Sequence, residues 1–141
     1  MDEILRFLHS LVRWGVLLVT IALFAYLLIG WLRNRPWESL GDRLLAIFSA
    51  LIGAQWLLGV LLLAVLLLAG GGISPQSWGH VVIMTLALAV AHSYRAFQRR
   101  EMADKARYQR YLILVIITLA LVFVGIFSLP SPIQWRFYAP A

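Results

Sequence analysis

The sequence predicts an all-α integral membrane protein, an up-down-up-down bundle of four helices. Hydrophobic residues make up 62% of its 141 residues, charged residues 13%, and the mean hydropathy is +0.87. A water-soluble domain cannot bury that much apolar surface. The apolar residues fall into four stretches, 11–32, 44–69, 78–97 and 111–129.

Each stretch is near or above the roughly 20 residues that an α-helix needs to cross a bilayer. We predict helices over about 5–33, 43–69, 77–99 and 108–129, in one domain of residues 1–141. Pro36 ends the first helix, three glycines at 70–72 form the next connection, and Ser77 is the predicted cap of the third helix. Because the connections are short, consecutive helices are expected to be antiparallel neighbours.

Two features of the sequence narrow the function. The start Met1-Asp2-Glu3 is acidic and no basic region precedes the first apolar stretch, so the first helix is expected to be retained rather than cleaved as a signal. The chain has no cysteine, which excludes thiol redox chemistry and covalent attachment of haem. Any cofactor must therefore be held non-covalently.

The distribution of basic residues predicts the orientation in the membrane. Nine Lys and Arg flank two of the connections, whereas three lie at the opposite ends of the helices, namely Arg6, Arg13 and Arg136. The positive-inside rule then places both basic connections in the cytoplasm and both termini outside the bacterial inner membrane. Topology and contact with anionic lipid account for the net charge of +6, so no nucleic-acid partner is predicted. The aromatic residues expected to anchor the helix ends in the headgroup layer are Trp14, Trp31, Trp37, Trp78, Trp135 and Tyr138.

Histidines near the helix ends are the main indication of chemistry. His9 lies near the outer start of the first helix and His80 near the outer start of the third, so the two are at comparable depth. First and third helices are commonly diagonal in a four-helix bundle, where two axial imidazoles can hold a haem. The pattern therefore predicts His9 and His80 as iron ligands of one haem b. The alternative is two interfacial histidines that bond to water or lipid headgroups.

His92 is predicted to have a different role. It is twelve residues beyond His80, or roughly 18 Å along the helix axis at about 1.5 Å per residue, so one haem cannot touch both. We expect a structural hydrogen bond to a neighbouring helix or a place beside Tyr94 and Arg95. Proton transfer, quinone contact and ligation of a pigment are the alternatives.

Two further polar residues are predicted to face the cofactor. Arg13 follows His9 by one helical turn, where its guanidinium could pair with a haem propionate or reach the outer headgroups instead. Gln55 is near the middle of the second helix, where an amide either bonds between helices or contacts a cofactor such as a quinone.

Several short runs together resemble a known group of proteins. They are LHSLVRW at 8–14, DRL at 42–44, IGAQWLLG at 52–59, His80, and AHSYR at 91–95. Over nearly its whole length the chain is similar to small bacterial four-helix membrane proteins labelled cytochrome b-like or uncharacterised. This resemblance implies a haem-binding membrane protein. The chain departs from the group in having Gly79 where an acidic residue often precedes the histidine, which removes a carboxylate partner for the imidazole.

Two classes of function follow from these patterns. The first is a b-type cytochrome-like protein that carries electrons between quinol and an external acceptor. The second is a non-catalytic subunit of a larger respiratory or photosynthetic complex, in contact with other membrane subunits or with copies of itself, and with pigment, quinone or lipid. The sequence offers no paired buried carboxylates and no nucleophile with an adjacent base, so a free-standing hydrolase is not expected. Four helices with almost no charge within the membrane also disfavour a transporter.

Overall fold

The computed structural model describes residues 2–138, and within them every regular element is an α-helix. The helices are α1 (Asp2–Leu32), α2 (Ser39–Leu68), α3 (Pro75–His92), α4 (Tyr94–Gln98), α5 (Asp104–Phe127) and α6 (Ser131–Gln134). Four segments are long and apolar enough to cross a membrane, namely α1, α2, the combined segment Pro75–Gln98, and α5. The all-α class and the four membrane-length helices are thus confirmed.

Three long helices begin three or four residues earlier than predicted. α1 begins at Asp2, α2 at Ser39 and α5 at Asp104. The prediction followed the start of each apolar stretch, but the polar turn before it is also helical. Acidic residues in these first turns, among them Asp42 and Asp104, interact favourably with the positive end of the helix dipole.

The start of α3 differs from the prediction for a local reason. Ser74, not Ser77, is the N-cap, and its Oγ accepts a hydrogen bond of 3.2 Å from the backbone N–H of Ser77. Pro75 then occupies the first helical position, where its fixed φ suits the helix and its missing N–H costs nothing. The predicted third helix also divides at Ser93 into α3 and α4.

Each of the four long helices packs against two of the others. α1 contacts α2 and α5, and α3 contacts the same two helices. The residues that are fully buried between them include Leu23, Leu27, Leu45, Phe48 and Val115. These residues lie nearer the basic connections than the chain termini, so most of the large fully buried apolar side chains are at that end.

An aromatic cluster closes the same end of the core. The ring of Trp37 lies 4.9 Å from the ring of Tyr108 and 5.2 Å from that of Tyr111, between centroids, and the Arg107 guanidinium lies over it. The Trp37 indole N–H donates to Asp42 at 3.2 Å. Trp37 therefore packs within the protein, in addition to lying near the boundary where we predicted a membrane anchor.

Candidate functional site

A cavity of about 220 Å³ lies at the end opposite the aromatic cluster, and all four predicted site residues line it. His9 and Arg13 reach it from α1, Gln55 from α2 and His80 from α3. Most of the remaining wall is apolar and comes from the four long helices. His92 is not among the residues that line this cavity.

His80 is held in one orientation by the backbone of α5. Its Nδ1 lies 2.7 Å from the carbonyl oxygen of Gly125. A carbonyl can only accept, so Nδ1 carries the proton and donates it, and Nε2 keeps its lone pair. A carbonyl partner on Nδ1 is the arrangement that orients histidine ligands of metals through Nε2.

A glycine makes this close approach of α3 and α5 feasible. A Cβ at residue 125 would overlap the Cε atom of Met84 and lie 3.3 Å from Ile83 Cγ2 and 3.7 Å from His80 Nδ1. Gly125 is itself buried. The position thus provides the carbonyl that orients His80 without adding a side chain to the cavity wall.

His9 is paired with Gln55 across α1 and α2. The amide Nε2 of Gln55 donates to His9 Nε2 at 3.1 Å, so Nδ1 of His9 carries the proton. This Nδ1 and the Oε1 of Gln55 are both buried without a hydrogen-bond partner. Gly59 lies beside the imidazole, where a Cβ would be 3.2 Å from His9 Cε1. The pair thus leaves one donor and one acceptor unsatisfied at the cavity.

Arg13 has partners that the sequence did not indicate. Its guanidinium donates to the backbone carbonyls of Gln134 and Arg136, both at 2.9 Å, and lies about 6 Å from the ring centroids of Trp14 and Trp135. Its Nε is buried without a partner. We predicted that this guanidinium either reaches the headgroups or pairs with a propionate. It is instead bonded to two backbone carbonyls of the same chain.

The residues that Arg13 holds belong to a C-terminal segment, residues 128–138, that forms part of the cavity wall. Leu129, Ile133, Gln134 and Tyr138 of this segment line the cavity. Gln134 Nε2 donates to the carbonyl of Leu129 at 2.7 Å, which stabilises the fold of the segment. Sequence reasoning missed these residues, because a short stretch after two prolines has no periodicity that shows where it packs.

His92 has a structural hydrogen bond, but not the predicted one. Its Nδ1 donates to the carbonyl of Leu88 at 3.0 Å, within its own helix, so the expected bond to a neighbouring helix is wrong. Its ring faces α2 at Gly53, where a Cβ would lie 3.6 Å from His92 Cε1. The histidine is therefore packed between α3 and α2, away from the cavity.

The charge and donor set of the cavity limit what it can bind. Arg6 and Arg13 line it together with two imidazoles, and none of its described lining residues is acidic. Among residues 2–138 no group of three or more His, Cys, Asp or Glu side chains is placed to hold a metal ion. The arrangement suits a largely apolar ligand that carries negative or hydrogen-bonding groups and accepts one or two imidazoles.

Comparison with protein-family models, with curated proteins and with solved structures found no match for this chain. The resemblance to cytochrome b-like membrane proteins therefore stays a prediction.

Proposed function

We propose that the chain is an integral protein of the bacterial inner membrane, with the four long helices arranged up-down-up-down. Many large apolar side chains on their outer faces are exposed, including Leu18, Ile21, Leu57, Val82 and Ile116. Exposure of so many apolar groups is costly in water and favourable in hydrocarbon. The apolar surface thus supports insertion of all four segments.

Contacts between the helices place both basic connections at the same end of the bundle, as a common cytoplasmic side requires. Gln98, at the end of α4, donates to Asp42, near the start of α2, at 3.2 Å, so the two basic connections are adjacent. Arg13 joins the amino-terminal part of α1 to the C-terminal segment at the other end. With the positive-inside rule, this arrangement favours cytoplasmic basic connections and external termini.

Site-directed labelling tests this orientation. In a chain without native cysteine, Ser39→Cys and Gln76→Cys place one thiol each on opposite sides, because residue 39 follows a basic connection and residue 76 follows the glycine-rich one. A membrane-impermeant maleimide added to intact spheroplasts is expected to label Gln76→Cys alone, and both variants after lysis. Labelling of Ser39→Cys in intact spheroplasts would reverse the orientation.

We further propose that the cavity binds one non-covalent haem b between His9 and His80, for electron transfer. The observation that carries this proposal is the hydrogen bond from His80 Nδ1 to Gly125, which leaves Nε2 free on a side chain lining the cavity. Two imidazoles, from α1 and α3, match the donor set of a bis-histidine haem. The positive charge of Arg13 lies on the same wall and favours an anionic group such as a propionate nearby, while its guanidinium stays bonded to the carbonyls of Gln134 and Arg136.

His9 fits this role only if its hydrogen bond changes. Nε2, the nitrogen that accepts from Gln55, must be released before it can ligate iron. The Gln55 amide has this one hydrogen bond, and its Oε1 has no partner, so rotating the amide away from His9 breaks a single hydrogen bond. Gln55 therefore hydrogen-bonds to the nitrogen of His9 that would ligate iron, and is not proposed as an iron ligand itself.

A bound haem would supply reversible one-electron exchange, and the protein would determine its position and surroundings. His9 and His80 hold it, the positive charge of Arg13 favours its propionates, and the apolar wall limits access of water. Such a protein is an electron carrier between quinol and an external acceptor rather than a free-standing enzyme. Absorption spectra of the purified protein, oxidised and then reduced, test the proposal; a colourless, folded preparation supplied with haem would contradict it.

A second candidate is a helical subunit of a respiratory or photosynthetic complex that contacts quinone in this cavity. The unpaired N–H of His9 and the unpaired oxygen of Gln55 favour it. They belong to two side chains that bond to each other, so one hydroxyl oxygen could accept from the first and donate to the second. A quinol carries such a hydroxyl group, and its apolar tail suits the wall.

The variant Gln55→Leu distinguishes the two candidates. Leucine removes both the bond to His9 and the unpaired oxygen at similar volume. If haem binds, we expect the spectrum to be retained, because His9 Nε2 is free to ligate. If quinol binds, its affinity should fall about tenfold, since the hydrogen bond from its hydroxyl to Gln55 Oε1 is lost.

Tryptophan fluorescence quenching by a short-chain quinol and the haem spectrum are measured on the same preparations. Gln109→Leu is the matched control, because Gln109 is exposed and does not line the cavity. Loss of haem from Gln55→Leu, with normal binding in Gln109→Leu, would contradict the proposal that Gln55 only occupies the ligating nitrogen of His9.

A further inference from the structure

A second concave surface lies on the outer face of the protein, between the α3–α4 segment and α5. This groove has a volume of about 360 Å³. Its lining residues are Val90, Ser93, Phe97, Arg110, Ile113, Leu114 and Ile117. It shares no lining residue with the cavity that contains His9 and His80.

Two guanidinium groups lie close to Phe97, an aromatic residue that lines the groove. Arg100 and Arg110 both lie over the ring of Phe97, at 5.7 Å and 5.8 Å from its centroid. Both arginines are exposed. The ring attracts each cation, but two like charges that share one ring also repel each other.

No carboxylate among residues 2–138 pairs with either arginine to offset this repulsion. In the described part of the chain the one ion pair within 4.0 Å joins Arg6 to Asp2, far along the sequence from the groove. Glu101 and Asp104, which are close to both arginines in sequence, form no such pair with either. An anion of another molecule at the rim would therefore be stabilised by two unpaired guanidinium groups.

The groove changes from charged to apolar along α5. Arg110 is in the second turn, and Ile113, Leu114 and Ile117 follow at helical spacing toward the middle of the apolar segment. The one hydroxyl in the groove, that of Ser93, already donates to the carbonyl of Val90 at 2.7 Å. Below the rim the groove thus presents apolar side chains, and the hydroxyl of Ser93 has no hydrogen left to donate to a ligand.

We propose that this groove is a binding site for one anionic phospholipid, with the phosphate between Arg100 and Arg110 and an acyl chain along Ile113 and Ile117. The charge at one end and the apolar floor match an amphiphile with a negative headgroup. The arginines lie near the basic connections, at the membrane surface where anionic headgroups are found. The site depends on membrane insertion but not on haem or quinone binding.

Native mass spectrometry with phosphatidylglycerol or phosphatidylcholine measures the binding directly. The wild-type protein, delipidated in a nonionic detergent, is expected to retain one phosphatidylglycerol in preference to phosphatidylcholine. Arg110→Gln and Arg100→Gln should each bind it about fivefold more weakly, which corresponds to the loss of about 1 kcal/mol per basic residue.

Two further variants separate a defined site from general attraction. Arg99→Gln removes the same charge from the same connection, but Arg99 neither lines the groove nor lies over Phe97, so binding should stay near the wild-type value. Ile113→Trp keeps both arginines and fills the groove, so it should weaken binding. Circular dichroism confirms that each variant is folded.

Several results would overturn the proposal. They are equal retention of phosphatidylcholine, unchanged binding in Arg110→Gln, an equal loss in Arg99→Gln, or displacement of the lipid by millimolar inorganic phosphate alone. The last result would show that the rim binds a free anion and that the apolar groove contributes nothing.

Discussion

Replacing His80 by alanine is expected to abolish the low-spin spectrum of a haem-loaded preparation. The variant removes a cavity-lining imidazole whose Nδ1 donates to the carbonyl of Gly125 at 2.7 Å and whose Nε2 is thereby left free. His9→Ala should remove or convert the same bands, because it deletes the facing imidazole. Absorption spectra of the oxidised and reduced proteins, normalised to protein concentration, measure the loss.

His92→Ala is the matched control for both variants. His92 lies on the same helix as His80 and is partly buried, but it bonds to Leu88 and does not line the cavity. Its spectrum should be nearly unchanged. An unchanged spectrum in His80→Ala would remove the proposed ligation and leave the quinone-contacting subunit as the better explanation, whereas equal haem loss in all three variants would indicate a folding defect.

The sequence was sufficient for the class of fold because apolar length alone determines which segments can cross a bilayer. It also indicated which polar residues share a cavity. His9, Arg13, Gln55 and His80 are polar residues within or beside the apolar stretches of the long helices, and such groups are expected to face the protein interior. Whether two of them ligate iron stays a prediction, since placement around a cavity does not specify the ligand.

The hydrogen-bond partners could not be predicted in the same way. His80 and Arg13 both bond to backbone carbonyls, and a carbonyl is present at every residue, so no residue type indicates it. The contribution of Gln134 and Tyr138 to the wall depends on how the chain turns after Pro130 and Pro132, which the composition of the segment does not determine. Trp37 was predicted to be a membrane anchor from its position near a helix end. Its packing against Tyr108 and Tyr111 could not be predicted, because these residues are distant in the sequence.

Close packing at the aromatic end of the core leaves no room for a side chain at Gly30. Gly30 is buried in α1, and a Cβ at this position would overlap the ring of Tyr108. That ring is 1% exposed and lies between Tyr26 and Trp37, with centroid distances of 5.9 Å and 4.9 Å. The Tyr108 hydroxyl also donates to the carbonyl of Pro36 at 3.1 Å, so the ring cannot move without losing packing and a hydrogen bond.

Gly30→Ala is therefore expected to destabilise the protein by about 1–3 kcal/mol, the usual cost of overpacking a core, despite the helix propensity gained from alanine. Gly15→Ala is the matched control, because Gly15 lies in the same helix and a Cβ there meets no atom within 4 Å. Thermal unfolding in one detergent, followed by tryptophan fluorescence, should show a lower Tm for Gly30→Ala and an equal or higher Tm for Gly15→Ala. Adding Tyr108→Phe should not rescue Gly30→Ala, because the overlap involves ring carbons rather than the hydroxyl. Adding Tyr108→Leu, which has a smaller side chain, should recover part of the lost Tm. A Tm for Gly30→Ala equal to that of Gly15→Ala would contradict the prediction, because it would show that α1 and α5 can separate at this contact without loss of stability.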